Sequence, residues 1–216
     1  MRLMAEGLSA KRGEDLIFND ISFVLDASDA LVVTGPNGSG KSTLLRVLAG
    51  LLHPESGYLK LENCPPEIGR PSEVSHYLGH RNAMKRELTV AENLSFWQRF
   101  MGDSPGGTGV APAEAVAAVG LPDIAHLPFG YLSAGQQRRM AMAKLIVAYR
   151  PIWILDEPTA ALDAGADRLF ADLVKAHLGR GGIVIAATHQ PLGLDRTKDL
   201  QMTGFEHLAG DHWHDA

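Results

Sequence analysis

The sequence predicts an α/β fold with a parallel core sheet, short strands at its N-terminal end and an inserted helical lobe. Three observations predict it. Residues 30–34, ALVVT, are a β-branched apolar run that leads through GPNGSGKS into STLLRVLAGLL, where Leu44, Leu45, Val47, Leu48 and Leu51 recur at helical spacing. Further apolar runs, IWILDE at 152–157 and GIVIAATH at 182–189, flank a helical pattern around DRLFADLVKAHL. Strands that alternate with helices return in the same direction and pair in parallel. Between the first and the later strands, residues from about 81 to 149 read mostly as helix.

Taken in order, Ile21, Phe23 and Leu25 alternate with Ser22 and Val24, and GED at 13–15 supplies a turn, so the first thirty residues read as short strands. The helix after GPNGSGKS is expected to run until Pro54 stops it. VAENLSFWQRFM, AEAVAAVGL and the run after LSAGQQ give three helices of the inserted lobe. The Gly- and Pro-rich stretch at 102–114 reads as a mobile surface loop. The tail EHLAGDHWHDA carries His207, His212 and His214, whose spacing fits no closed metal-ligand set, and reads as a frayed C-terminus.

Composition narrows the function. The 216 residues can build one substantial core. A net charge of −5 at pH 7 argues against binding nucleic acid by phosphate neutralisation. No window approaches the roughly 18 consecutive apolar residues that span a bilayer, and MRLMAEGLSAKRGED lacks the apolar region of a signal peptide. The chain is therefore expected to stay in the cytoplasm, alone or docked on something else. Cys64, the single cysteine, has no internal disulfide partner.

GPNGSGKS fits GxxxxGK[ST] without a mismatch, between a strand and a helix as that motif requires. Glycines let successive amides point inward to cradle phosphates, and the helix start adds partial positive charge. Lys41 then reaches the β and γ phosphates, and Ser42 offers its hydroxyl to Mg²⁺. A nucleotide held there needs a carboxylate across the sheet for its metal. IWILDE supplies Asp156 at the end of a buried strand, where ligands bind in open α/β sheets. Glu157 follows and, as an adjacent strand residue, is expected to point to the opposite side; it can orient and deprotonate an attacking water. A second anion site is suggested by LSAGQQRR, where Ser133 and Gln136 fit a helix capping box.

GPNGSGKS, LSAGQQRR, ILDEPT, AALD and ATH occur in the order found in ATP-binding subunits of ABC transporters, and the resemblance covers nearly the whole chain. It implies a P-loop NTPase of the ABC ATPase class, with a parallel core sheet, an N-terminal antiparallel β subdomain and an inserted α-helical subdomain. It implies one domain over 1–216, with a core lobe at about 1–80 and 150–200, a helical subdomain at about 81–149 and a tail at 201–216. Two copies of such a subunit close face to face around two ATP molecules, with Mg²⁺. Carried over, Gly35, Pro36, Asn37, Gly38, Ser39, Gly40, Lys41, Ser42 and Thr43 form the phosphate loop. Ser42 and Asp156 hold Mg²⁺, Glu157 is the base, and His189 contacts the γ phosphate. Leu132, Ser133, Ala134, Gly135 and Gln136 form a signature that acts on the partner's ATP, and Ala161, Leu162 and Asp163 form the D-loop.

Two positions depart from the family's pattern. Arg12 stands where many members stack an aromatic on adenine; a guanidinium plane can stack there too. His80 stands at the usual Q-loop glutamine, counted back from LTVAENL, and reaches less far than glutamine. With YLGHRNAMKRELTVAENLSFW, WILDEPTAALD and GGIVIAATHQPL, the chain is similar to the ATP-binding export subunits of cytochrome c maturation systems. That similarity implies a peripheral protein on the cytoplasmic face of the inner membrane, working with integral permease subunits in haem export or release of a haem-loaded chaperone. No Cys-x-x-Cys-His motif occurs, so no direct haem ligand is expected in this chain. The alternatives are the ATPase of another ABC transporter and a soluble ABC protein acting on ribosomes or DNA; a single cassette without sustained heptads weighs against the latter.

Overall fold

In the computed structural model, which describes residues 1–159, 162–190 and 192–204, two sheets sandwich the first helix. The N-terminal strands are long rather than short: β1 (Arg2–Arg12) and β2 (Asp15–Asp26) form an antiparallel hairpin, and β4 (Ser56–Glu62) pairs with the other edge of β1. The core sheet comprises β3 (Ala30–Thr34), β5 (Ser75–Leu78), β6 (Ile152–Asp156), β7 (Ile183–Ala187) and β8 (Lys198–Gln201), in the spatial order β5-β6-β7-β3-β8. All four pairings in it are parallel.

Both faces of this sheet are covered, which is why its central strands read as unbroken apolar runs. Successive residues of a strand point to opposite faces. Ile152, Ile154, Ile183 and Ile185 pack with α1 (Lys41–Leu48) and the inner face of the antiparallel sheet, among them Leu3, Leu8 and Leu25. Trp153, Leu155, Val184 and Ala186 face the other way, onto α4 (Ala134–Val147) and α5 (Ala164–Gly179). Each fully buried aliphatic side chain contributes about 1.5–3 kcal/mol, so these two clusters dominate the stability of the fold. α2 (Val90–Met101) and α3 (Pro112–Ala118) pack on α4 through Val90, Leu94, Ala115 and Val116 and complete the helical lobe.

Three local expectations change. Helix α1 ends at Leu48 and not at Pro54, because the N–H groups of Gly50 and Leu51 turn back to the carbonyls of Val47 and Arg46 and satisfy the helix end early. The stretch 102–114 is tied down: Ser104 and Val110 donate backbone N–H bonds to Tyr149 and Ile146, Gly109 donates to Asp103, and Pro112 opens α3. The tail begins later than residue 201, since Gln201 belongs to β8 and the buried Met202 donates its N–H to the Thr34 carbonyl at 2.8 Å. His207, His212 and His214 lie outside the described residues.

Candidate functional site

The carboxyl ends of β3, β6 and β7 meet at one place. Val33 and Asp156 both pair across to Ala187, which brings the loop after β3 beside the end of β6. A cavity of about 340 Å³ opens there, lined by Arg12, Asn37, Gly38, Gly40, Lys41, Ser42, Thr43, His80, Asp156 and Glu157, with Ile17 of β2 beside Arg12.

The loop glycines have no substitute. A Cβ on Gly40, the N-cap of α1 at φ 93°, would sit 2.6 Å from Ile17, and one on Gly35 would sit 2.3 Å from the Met202 carbonyl. The chain thus passes close under its own walls and presents amides rather than side chains. Lys41 Nζ donates to the carbonyls of Gly35 and Pro36 at 2.7 and 3.0 Å. An ammonium has three donors, so one is left for an anion over the loop.

Asp156 is 1% exposed, and its carboxylate gathers several neighbours. Ser42 Oγ donates to Oδ1 at 3.1 Å; His80 Nδ1 and the Tyr77 hydroxyl lie 3.1 and 3.4 Å from Oδ2. A carboxylate only accepts, so His80 carries its hydrogen on Nδ1. Burial pushes the Tyr77 phenol up. Ser42 and Asp156 supply the hard oxygen donors that Mg²⁺ takes, and residues and group fit in that respect. Among the described residues no cluster of three or more His, Cys, Asp or Glu side chains could hold a metal unaided, so the remaining ligands must come from phosphate and water.

Glu157 differs from the expectation for consecutive strand residues. The strand ends at Asp156, and Glu157 adopts a left-handed backbone with φ 46° while donating its N–H to the Ala187 carbonyl at 2.9 Å. The turn brings both carboxylates onto one cavity instead of onto opposite faces. His189 Nε2 lies 3.8 Å from Glu157 Oε1, which places an imidazole at the same edge.

The signature stands apart. None of Leu132, Ser133, Ala134, Gly135 and Gln136 lines the cavity. Ser133 is the N-cap of α4 in a complete capping box: Gln136 N–H donates to Ser133 Oγ at 3.3 Å, and Ser133 N–H donates to Gln136 Oε1 at 2.9 Å. Among the described residues the Ser133 hydroxyl donates to no acceptor, and the residue is exposed at the helix start. Asp163 caps α5 by accepting from Ala166 N–H at 2.8 Å, which holds its carboxyl below the usual range. Leu162 precedes it, and Ala161 falls outside the described residues.

Sequence reasoning missed Arg138. It is 6% exposed, and its guanidinium donates to four carbonyls: Nε to Pro158 at 3.0 Å, Nη1 to Gly79 at 2.8 Å, and Nη2 to Asp156 at 3.2 Å and Glu157 at 2.6 Å. The available signal was a charge inside a run otherwise apolar enough to be buried all round. His76, in the same strand as Tyr77, is in the core with Nε2 2.8 Å from the Ala148 carbonyl.

Comparison with known proteins identifies the family and the fold. The family model described as ABC transporter matches residues 18–160. The chain is 77% identical over 207 residues to the cytochrome c biogenesis ATP-binding export protein CcmA of Rhizobium meliloti, covering 96% of this chain and 100% of that one. Among solved structures, an ABC transporter ATP-binding protein from Pyrococcus furiosus aligns with a TM-score of 0.77 at 20% identity, covering 94% and 98% of the two chains. A dimeric ATP-binding cassette in a post-hydrolysis state with ADP and Pi aligns at 0.72 and 23% identity, over 87% and 88%. The chain belongs to the ABC transporter family and, within it, to the cytochrome c biogenesis ATP-binding export proteins.

Proposed function

We propose that this chain is the ATP-hydrolysing subunit of a cytochrome c maturation complex at the cytoplasmic face of the inner membrane, where a pair of copies drives integral permease subunits in haem export or in release of a haem-loaded chaperone. The observation that carries the reading is the division of the machinery: a phosphate cradle with two carboxylates on one cavity, and a capped, exposed helix start that does not reach it. The name of the Rhizobium meliloti relative supports the process, and the post-hydrolysis cassette with ADP and Pi is itself a dimer. No helix among the described residues is long and apolar enough to cross a membrane, so docking on partner subunits is how the chain would reach one.

In this reading Lys41 and the loop amides from Gly35 to Thr43 bind the phosphates, and Arg12 stacks on the adenine. Ser42 and Asp156 hold Mg²⁺, which neutralises charge on the phosphates when bound. Glu157 accepts the proton of the attacking water, and His189 donates to the oxygens of the transferring phosphoryl group. Ser133 gives its spare hydrogen to the γ phosphate held by the partner, with Gly135 and neighbouring amides of the helix start. Asp163 and Leu162 line the junction between copies.

Replacing Glu157 by Gln tests the assignment. It removes the base but keeps the shape, so turnover should fall about 100-fold or more while ATP stays bound. The variant should then elute as an ATP-dependent dimer on gel filtration. Hydrolysis at the parent rate would show that Glu157 is not the base.

A further inference from the structure

Arg138 is a buried cation without a carboxylate partner: no ion pair among the described residues involves it. Burial lowers its pKa, while the charges of Asp156 and Glu157 act in the opposite sense. Taking a guanidinium out of water is expensive unless its donors are filled, and here four carbonyl dipoles fill them. The position of those carbonyls is informative. Gly79 precedes His80, and the other three belong to consecutive residues Asp156, Glu157 and Pro158 at the end of β6. One of them, Glu157, is held in a left-handed backbone, which a non-glycine residue keeps only under an outside restraint. The planar fork of the guanidinium can bridge Gly79 and the β6 end at once; a lysine ammonium cannot span that spread.

Arg138 also sits five residues after Ser133 in the same helix, about 7.5 Å along its axis. Arg138 is the first buried side chain of this helix and is followed by the buried run Met140–Leu145, so the exposed start at Ser133 and the buried guanidinium belong to one continuous, hydrogen-bonded element.

We propose that Arg138 is a positioning residue that ties the start of α4 to this chain's own Asp156–Glu157 turn, so that hydrolysis at either nucleotide of a pair depends on docking of the other. The proposal rests on the reading that Ser133 meets the partner's ATP. Each copy's base is then in register only while its own α4 start is engaged.

The test uses the full chain with Arg138→Lys, which keeps the charge and loses the fork. Thermal unfolding monitors the fold, ATP affinity is measured on the monomer, and hydrolysis is followed against ATP concentration. ATP affinity should stay within about twofold, because the cradle is untouched. Turnover should fall about 100-fold, the usual consequence of a small misplacement of reacting groups. The Hill coefficient should drop from above 1 in the parent to 1, and guanidinium ion added to Arg138→Gly should restore part of the rate. If Lys prevents folding, Arg138→Met removes the buried charge at similar volume and carries the same readouts. Parent turnover and parent Hill coefficient in a folded variant overturn the proposal, as does a rate loss matched by an equal loss of ATP affinity. A parent that hydrolyses ATP hyperbolically also overturns it, yet leaves the proposed ATPase function intact; a parent without turnover is the outcome that removes the function itself.

Discussion

Asp156 is where the residues of the site converge, and His80 is the unusual member of its surroundings. Its Nδ1–H reaches Oδ2 while Ser42 reaches Oδ1, so the carboxylate is held from both sides. The His80 side chain is 64% exposed, and a hydrogen bond of that kind is worth about 1 kcal/mol, equivalent to about fivefold in rate. His80→Ala should therefore lower turnover about fivefold, and His80→Gln should restore part of it because an amide N–H can donate to the same oxygen. Steady-state hydrolysis by the three proteins checks this; equal rates would detach His80 from the reaction. The presence of Lys41, Ser42 and Asp156 at one place was legible in the sequence, because a phosphate loop and an apolar strand ending in an acid are local patterns. The left-handed turn at Glu157 was not legible, since it depends on the Ala187 carbonyl 30 residues away and on Arg138.

Helix α4 is the element at which an observed role, capping, and a proposed one, docking of a partner's phosphate, fall on the same residue and can be separated. Its capping box satisfies helix-end donors on both sides, and an N-cap serine is worth about 1 kcal/mol over alanine. Ser133→Ala should then lower the unfolding midpoint by about 2–4 °C, leave ATP binding to the monomer unchanged and reduce hydrolysis. Ser133→Asp separates the two roles: a carboxylate still caps the helix but repels a phosphate, so stability should persist while hydrolysis is lost. If Ser133→Asp hydrolyses ATP at the parent rate, no phosphate docks at this helix start. The helix was legible as a long apolar run opened by S-x-x-Q, and so was β6 after it; β5, only four residues long, carried no such run. Element ends were less legible. Pro54 is a conspicuous breaker, but α1 is already closed six residues earlier by Gly50 and Leu51, and the Gly-rich stretch at 102–114 is fixed by carbonyls of α4 and its C-terminal flank that no local pattern announces.

Across the whole molecule, the apolar interior encloses two imidazoles, His76 and His177, whose burial favours the uncharged form, and this sets a pH dependence of stability. His76 is fully buried against the Ala148 carbonyl, near Lys144 and Arg150; burial first, then those charges, bring its pKa from 6.5 to about 3. His177 stacks on Trp153 with ring centroids 4.0 Å apart, near Arg180, and burial brings it to about 4. In the unfolded chain both return to about 6.5. Between that value and the folded values the unfolded chain binds more protons, so stability rises with pH there. It is fully present above about pH 6.5 and is lost progressively as pH falls toward 4. With both imidazoles contributing, the slope approaches two protons, about 2.7 kcal/mol per pH unit. The upper part of this window, between pH 7 and 5, lies above the range in which ordinary carboxylates titrate and can be read separately. His177→Phe keeps a ring for Trp153 to stack on and removes one proton from the balance. Urea unfolding of parent and variant at several pH values should show the slope of the variant smaller by about one proton, and an unchanged slope would mean that His177 is not held neutral in the folded chain.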